Sequence, residues 1–197
     1  MYEYLRRHPE IFLPKIKEPN YFADVHLQSR YRHLVVNIKE DAEYHRIFRK
    51  ATSQQLIGEG SVSYLFCSKA PERIFKINPY AKFLAVLRDP VERAYSHYWM
   101  DVAVGQQHQD FRNAVLTDLM EKRRYWGTAR LYVDLGLYYQ QLIRYFELFP
   151  SDNVKIIYQE DLMNDAWSVM ADVGRFLGVN VDIFDEMSFD RHHNEFS

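Results

Sequence analysis

Two strand-length apolar runs and a series of amphipathic helical patterns alternate along this chain. The runs KFLAVL at 82–87 and VKIIY at 154–158 predict strands that are buried on both faces, as in a covered parallel sheet. Apolar residues spaced at i, i+3, i+4 and i+7 predict helices around these strands. The predicted helices cover residues 1–7, 42–51, 71–79, 90–104, 110–122, 130–149 and 164–177. This order of elements predicts an α/β fold with a parallel sheet flanked by helices.

The remaining segments are less regular. Prolines at 9, 14 and 19 interrupt residues 9–39, and LIGEGSVSYLF at 56–66 is typical of a strand broken by glycines. Asp41 is placed to cap the helix that follows it, and Gly178 to end the last helix. With 197 residues, of which 47% are hydrophobic, the chain fits a single domain spanning 1–197.

Charge and cysteine content exclude several classes of protein. The chain has 25 Lys and Arg against 27 Asp and Glu, so its net charge of −2 gives no uniformly basic surface for nucleic acid. A single cysteine, Cys67, excludes an internal disulfide and a cysteine-based metal cluster, and it suits a reducing compartment. We therefore expect a cytoplasmic protein, or one of the Golgi lumen if the chain is a eukaryotic fragment. The apolar runs fall well short of the roughly 20 residues that a membrane span needs, so we expect none.

The turn between the strand at 82–87 and the helix at 90–104 has candidate chemistry. Asp89 and Pro90 suit the first positions of a helix, and Glu92 stands where a capping box requires it. Ligands of open α/β sheets bind beyond the carboxyl ends of strands, which is where Arg88 lies. Its forked guanidinium, with the hydroxyl of Ser96 on the helix, suits a phosphate. The alternative is an ordinary surface ion pair between Arg88 and Glu92, and the spacing alone favours that alternative.

The segment LRDPVERAYSHYWM at 87–100 resembles the 3′-phosphate-binding motif of the sulfotransferases that use 3′-phosphoadenosine 5′-phosphosulfate (PAPS). In that motif a strand-end arginine and a helix serine hold the 3′-phosphate, and Arg88 and Ser96 match these two positions. The similarity is strongest to the branch of heparan-sulfate sulfotransferases and their bacterial relatives, and it extends to about residue 180. Further segments resemble their counterparts in family order: HPEIF at 8–12, KEPNYF at 17–22, GEGSVSYL at 58–65, PERIFKINPYAK at 71–82, GLYYQQLIRYFELFP at 136–150, YQEDL at 158–162 and FLGV at 176–179.

The resemblance implies a fold similar to P-loop nucleotide kinases and a reaction that needs no metal. A sulfuryl group passes from PAPS to a hydroxyl or amine of an acceptor, either a glycan or a small molecule. In the glycan branch a glutamate in a K-E-x-x-[FY]-F pattern is the base, and Glu18 in KEPNYF matches it. The alternative for Glu18 is an exposed loop carboxylate beside Lys15 and Lys17. His8 and His26 are weaker candidates for the base, because neither stands in the motif of the branch that uses histidine.

The chain also departs from the family pattern. Gly60 stands where some glycan enzymes have a substrate-contacting lysine, which argues against a strongly anionic glycan acceptor. The resemblance further implies a strand and a K-x-G-T-T-like phosphosulfate turn before the first residues, and a cofactor-covering loop after the last ones. We therefore expect a truncated chain that by itself binds PAPS weakly and transfers sulfate poorly or not at all.

Two other functions stay open on the sequence. The first is a non-catalytic remnant of a sulfotransferase that acts as a binding or interaction protein. Coding sequence upstream of Met1 that contains the K-x-G-T-T pattern would discriminate it from an enzyme. The second is a nucleotide kinase, which shares the architecture but needs a G-K-[ST] phosphate loop that this sequence lacks.

Overall fold

The computed structural model describes residues 1–25, 36–53, 56–122, 124–126, 130–187 and 189. Four strands lie in this part of the chain: β1 (Ile11–Phe12), β2 (Leu56–Ile57), β3 (Phe83–Leu87) and β4 (Val154–Tyr158). The α-helices are α1 (Tyr2–Arg7), α2 (Asp41–Arg46), α3 (Ser63–Phe66), α4 (Ala70–Ile77), α5 (Pro90–Ala103), α6 (Phe111–Met120), α7 (Tyr138–Phe146), α8 (Gln159–Asn164) and α9 (Ala166–Leu177).

The strands form two parallel pairs. Strand β1 pairs with β2, with Ile11 opposite Leu56, and β3 pairs with β4 over five residues from Phe83 opposite Val154. The chain passes from β3 to β4 through α5, α6 and α7, as the parallel connection requires. Parallel strands joined through helices confirm the predicted α/β class. The bounds of β4 agree with the prediction, and β3 begins one residue later than predicted, at Phe83.

One apolar cluster joins the two strand pairs. Helix α9 lies at its centre, with Met170 and Val173 fully buried, and it meets Ile11 of β1 and Ile157 of β4. A second cluster lies between α7 and α4, and a third between α5 and α6. Burial of this apolar area is what holds the helices against the short strands. The complete set of buried residues in the joining cluster is Tyr4, Leu5, Ile11, Ile157, Met170, Val173, Val179 and Phe184.

The prediction that both faces of β3 and β4 are covered is wrong at their carboxyl ends. The ring of Phe83, at the start of β3, lies 4.9 Å from the Tyr145 ring and 4.6 Å from the Phe149 ring. Further along, Val86 is 41% exposed and Tyr158 is 55% exposed. The helical cover is therefore incomplete near the carboxyl ends of the strands. Open strand ends of this kind are where α/β sheets bind ligands.

The long helix predicted over 130–149 is also wrong. The structure has a 3₁₀ turn at Asp134–Gly136 followed by the separate helix α7. The reason lies on α6, where the buried carboxylate of Asp118 accepts the backbone N–H groups of Leu131 and Tyr132, both at 2.9 Å. Leu131 has a φ of 55°, which is incompatible with a right-handed helix. A tertiary hydrogen-bond network therefore overrides the local helical pattern.

Residues 56–66 differ from the predicted broken strand in a similar way. Only Leu56–Ile57 is a strand, and Ser63–Phe66 is a short helix. The Ser63 hydroxyl is hydrogen-bonded to the Asn20 side chain, so this segment is held by residues distant in sequence. Alternation along a short stretch could not show that contact.

The predicted helix ends are partly confirmed. Gly178 ends α9 with a φ of 82°, the left-handed conformation that favours glycine. Its start differs from the predicted residue 164, because α9 begins at Ala166 and is capped by Asp165, which accepts the Ser168 amide at 3.0 Å. The helix after residue 40 ends at Arg46, and Asp41 lies inside it as its first residue.

Candidate active site

Arg88 and Ser96 flank the start of α5. Asp89 caps this helix as predicted, because its Oδ1 accepts the backbone amides of Val91 and Glu92, both at 2.9 Å. The capping box is wrong, since the Asp89 amide lies 3.3 Å from a carboxylate oxygen of Glu160 instead. The Glu92 carboxylate therefore does not take part in the cap and pairs with Arg88.

Arg88 follows β3 directly and forms the ion pair that its spacing suggested. Its Nη2 lies 3.3 Å from Oε2 of Glu92, and the two side chains are 32% and 64% exposed. Surface pairs at i, i+4 contribute only about 0.3–0.5 kcal/mol. A phosphate that accepts charge-assisted hydrogen bonds from the guanidinium gains more, about 1.5–3 kcal/mol per bond. The observed pair is therefore compatible with a phosphate ligand that displaces Glu92.

Ser96 lies four residues beyond Glu92, so both side chains share one side of α5. The serine is exposed, and its hydroxyl has no hydrogen-bond partner among the residues that the structure describes. The contact between Arg88 and Glu92 brings the guanidinium to the same side of the helix. This surface therefore has a permanent cation at one end, a free hydroxyl at the other and a carboxylate between them.

The 3₁₀ turn at Asp134–Gly136 packs behind this surface. A Cβ atom placed on Gly136 would lie only 2.9 Å from Cβ of Pro90, so glycine is required by close approach at this point. Burial raises the pKa of the nearby Tyr138 hydroxyl, and the backbone amide of Arg88 opposes that shift. The turn thus fixes the start of α5 and the arginine that precedes it.

Glu18 lies in a second neighbourhood, on a loop with unusual backbone geometry. Glu18 and Asn20 have φ values of 55° and 54°, in the left-handed region. Each such residue costs about 1–3 kcal/mol unless its surroundings impose the conformation. Here the backbone N–H of Glu18 donates to the carbonyl of Gly60 at 3.0 Å, and the side-chain amide of Asn20 donates to the Glu18 carbonyl at 2.7 Å. Non-glycine residues held in this conformation cluster at functional sites.

The Glu18 side chain is half-buried, unlike the exposed Lys15 and Lys17 that precede it. Burial raises the pKa of its carboxyl group, and the charge of Lys17 partly opposes the shift. The alternative interpretation of Glu18, as an exposed loop carboxylate, is therefore wrong. A carboxylate with a raised pKa accepts a proton more readily, which is what a general base needs.

Glu59 is a second carboxylate in this neighbourhood, and it was not among the residues predicted from the sequence. It accepts hydrogen bonds from the hydroxyls of Tyr64 at 2.5 Å and Ser61 at 3.0 Å. Burial raises its pKa, hydrogen bonds from the surrounding hydroxyls oppose the shift, and the negative charge of Glu18 adds to it. The available signal was a glutamate between two glycines in a segment already matched to the family.

The histidine candidates do not add to the site. His8 is 1% exposed, its Nε2 lies 2.9 Å from the carbonyl of Asn180, and its Nδ1 accepts the Glu10 amide at 3.2 Å. Both ring nitrogens are therefore engaged in structural contacts. His26 lies outside the described residues.

The candidate residues thus occupy two neighbourhoods. Glu18 is linked to the loop at 59–64, and Arg88 is linked to Glu92. Within the ranges that the structure describes, no hydrogen bond or ion pair joins Glu18 to Arg88 or Ser96. Each neighbourhood lies beyond the carboxyl end of a parallel strand, Arg88 after β3 and Glu18 after β1.

Two kinds of feature were not found in the described part of the chain. No helix there has both the length and the apolar character needed to cross a membrane. No group of three or more His, Cys, Asp or Glu side chains among those residues is placed to hold a metal ion.

Comparison with known proteins connects these neighbourhoods to one family. A model of the sulfotransferase domain matches residues 1–197. Heparan sulfate glucosamine 3-O-sulfotransferase 6 of Homo sapiens is 26% identical over 185 residues, which cover 93% of this chain and 49% of the relative. The bifunctional heparan sulfate N-deacetylase/N-sulfotransferase 3 of Homo sapiens is 26% identical over 98% of this chain and 22% of its own length.

A solved structure supports the same fold. The crystal structure of a sulfotransferase from Alicyclobacillus acidocaldarius superposes with a TM-score of 0.85 and 29% identity, over 98% of this chain and 78% of that one. The predicted α/β sulfotransferase fold is therefore confirmed. This chain spans about half the length, 49%, of the human 3-O-sulfotransferase that it matches. The domain match over the whole sequence shows that the chain belongs to the sulfotransferase family.

Proposed function

We propose that this protein transfers a sulfuryl group from PAPS to a hydroxyl or amine of an acceptor. Glu18 is the base, and Arg88 and Ser96 bind the 3′-phosphate of the donor. The observation that carries the proposal is the half-buried Glu18 carboxyl, whose pKa is raised and whose backbone is held in a left-handed conformation. Family membership supplies the reaction class, and this residue supplies a group suited to its proton transfer.

In the proposed reaction the acceptor oxygen or nitrogen attacks the sulfur of PAPS. A new bond forms to sulfur as the bond between sulfur and the phosphate oxygen breaks, and adenosine 3′,5′-bisphosphate leaves. Glu18 takes the proton that the acceptor loses, so the attacking oxygen or nitrogen ends neutral rather than cationic. The product is a sulfate ester or sulfamate whose sulfate group is negatively charged. Because burial disfavours the ionised carboxylate, proton uptake by Glu18 is more favourable than for an exposed glutamate.

Arg88 and Ser96 fit a phosphate group on chemical grounds. The guanidinium is partly exposed, and in the described part of the chain its ion pair is with the more exposed Glu92, so a dianionic ligand can reach it. Ser96 has a hydroxyl with no competing partner in the described ranges. Two donors of this kind distinguish a nucleotide that has a 3′-phosphate from one that lacks it. They act on binding and not on the chemical step.

The acceptor is proposed from the relatives and from Gly60. Two of the relatives are named for heparan sulfate, which supports a carbohydrate acceptor. Any side chain on Gly60 would meet the ring of Tyr2, since a Cβ there would lie 3.3 Å from Tyr2 Cδ2. Tyr2 is itself fixed by the hydrogen bond that its hydroxyl donates to the Pro14 carbonyl at 2.7 Å. We therefore propose an acceptor with less negative charge than heparan sulfate.

Transfer of ³⁵S from labelled PAPS tests the proposal, with incubations long enough to register the weak transfer that is expected of the chain by itself. The chain is incubated with an oligosaccharide that contains N-acetylglucosamine, or with 4-nitrophenol, and compared with E18Q and the control E72Q, which changes an exposed glutamate of α4. A general base contributes roughly 10²- to 10⁴-fold, so we expect E18Q to lose at least about 100-fold in transfer. We expect E72Q to match the unmodified chain.

A calorimetric titration with adenosine 3′,5′-bisphosphate runs in parallel. E18Q should bind this nucleotide as tightly as the unmodified chain, because Glu18 is assigned to the proton and not to the nucleotide. Equal transfer by E18Q and the unmodified chain would contradict the assignment of the base. Nucleotide binding without any transfer to either acceptor would instead support a non-catalytic binding protein.

A further inference from the structure

Glu59 has a set of hydrogen bonds that the proposed reaction does not use. Three hydroxyl groups donate to its carboxylate, from Tyr64 at 2.5 Å, Ser61 at 3.0 Å and Tyr44 at 3.5 Å. Burial raises the pKa of Glu59, the three hydroxyl hydrogen bonds oppose that shift because they stabilise the carboxylate, and the charge of Glu18 adds to it. A carboxylate withdrawn from water destabilises a fold unless it is well hydrogen-bonded, and such groups are concentrated at functional sites.

Two of these hydroxyls also hold the segment that carries the proposed base. Ser61 Oγ accepts the backbone N–H of Asn20 at 3.1 Å, and the Tyr64 hydroxyl accepts that of Phe22 at 3.4 Å. A hydroxyl can donate one hydrogen bond, and here it donates that bond to the carboxylate. Its oxygen lone pairs are then left to accept the backbone N–H groups. Glu59 therefore determines the direction in which both hydroxyls accept.

The same loop also holds Glu18 directly. The carbonyl of Gly60, the residue after Glu59, accepts the Glu18 amide at 3.0 Å. The amides of three alternate residues, Glu18, Asn20 and Phe22, thus all donate to the loop that begins at Glu59. The left-handed conformation of Glu18 and Asn20 is unfavourable for residues with a Cβ, so contacts of this kind are needed to maintain it.

We propose that Glu59 is a positioning residue. It holds the backbone that carries Glu18 by accepting hydrogen bonds from the Ser61 and Tyr64 hydroxyls. This inference deepens the proposed function and rests on the assignment of Glu18 as the base. A misplacement of about 1 Å in a catalytic group lowers the rate on the order of 100-fold. Loss of Glu59 should therefore lower kcat and leave the binding of the donor unchanged.

Matched variants separate this role from a general effect on stability. E59A removes the acceptor altogether, E59Q keeps the side-chain length and one acceptor oxygen, and E72A is the exposed control on α4. With labelled PAPS and the N-acetylglucosamine oligosaccharide, we expect kcat to fall about 100-fold for E59A and about 10-fold for E59Q, with no change for E72A. The KM for PAPS should stay the same in all three.

The double variant E18A/E59A tests whether Glu59 acts through Glu18. If it does, the double variant is as slow as E18A alone, because the misplaced group is already absent. A residue that only stabilises the fold would lower kcat further in the double variant. Additive losses would therefore overturn the proposal.

Amide hydrogen exchange measured by NMR gives a readout that needs no turnover. We expect E59A to speed exchange at the amides of Asn20 and Phe22 by at least about 10-fold, with partial recovery in E59Q and no change in α9. Unchanged exchange at both amides overturns the positioning role of Glu59, whatever the activity. Faster exchange in E59A, combined with normal sulfate transfer by E18A, contradicts the assignment of Glu18 as the base instead. If no variant shows transfer, the exchange result alone decides.

Discussion

Replacement of Arg88 tests the proposed nucleotide site through one chemical group of the ligand. Arg88→Ala removes the guanidinium at the end of β3 and leaves the Asp89 cap of α5 in place, since that cap does not involve the arginine side chain. Adenosine 3′,5′-bisphosphate has the 3′-phosphate and adenosine 5′-monophosphate lacks it. The comparison of these two ligands isolates the contact assigned to Arg88.

The structure sets the expected magnitude. Hydrogen bonds to a charged group contribute about 1.5–3 kcal/mol each, and a forked guanidinium can make two of them to a phosphate. Binding must first displace Glu92, whose pair with Arg88 is largely exposed and contributes about 0.3–0.5 kcal/mol. Partial exposure of the site further reduces the free energy that these hydrogen bonds contribute to binding. We expect a net loss of about 2–3 kcal/mol, which corresponds to about 30- to 150-fold in Kd.

Isothermal titration calorimetry of both nucleotides measures the effect. Arg88→Ala should weaken the binding of adenosine 3′,5′-bisphosphate by this factor and leave that of adenosine 5′-monophosphate within about twofold. Arg88→Lys should lie between, because it keeps the charge without the fork. Arg112→Ala, at an exposed position of α6, is the matched control and should bind both ligands normally. If Arg88→Ala prefers the 3′-phosphorylated nucleotide as strongly as the unmodified chain does, Arg88 is not the ligand.

Three further changes have defined outcomes. E92Q should tighten binding of adenosine 3′,5′-bisphosphate about 2- to 5-fold in calorimetry, because it removes the competing carboxylate; weaker binding would contradict this role. G136A places a methyl group 2.9 Å from Pro90 Cβ, so urea denaturation should show a loss of about 1–3 kcal/mol. The control G58A meets only a flexible side-chain atom at 3.3 Å and should lose less, and equal losses would argue against a special requirement at Gly136. Because the folded pKa of Glu59 is raised above 4.5, its contribution to stability is present below pH 4.5 and is lost as pH rises through the raised value. The stability of the unmodified chain relative to E59Q should therefore decline over this window, and a difference independent of pH would contradict the shift.

The sequence was most informative where local chemistry and structure coincide. Strands β3 and β4 and helix α5 have their predicted positions, because apolar runs, an Asp-Pro start and helical spacing act within a few residues of each other. The family could also be recognised in this way, since its motifs are short and contiguous. Arg88 and Ser96 both fall in one such motif, around a single turn.

The prediction failed where distant contacts compete with local preference. The helical pattern at 130–149 is broken because the buried Asp118 accepts the amides of Leu131 and Tyr132. The stretch at 56–66 forms a helix at its end because Ser63 is bonded to Asn20. Propensity is a small local effect, and a buried, satisfied carboxylate or amide can override it.

The sequence by itself determined the fold class, the family and the turn that holds Arg88 and Ser96, because each is written in neighbouring residues. Only the tertiary structure decided that Glu18 is half-buried, that its backbone is left-handed, and that Glu59 faces the same loop. Residues 18 and 59 are far apart in the chain, and their coupling passes through the hydroxyls of Ser61 and Tyr64, which lie close to Glu59 in sequence. Burial and hydrogen-bond direction arise only when such segments meet in space, and these are the quantities that make a carboxylate a base.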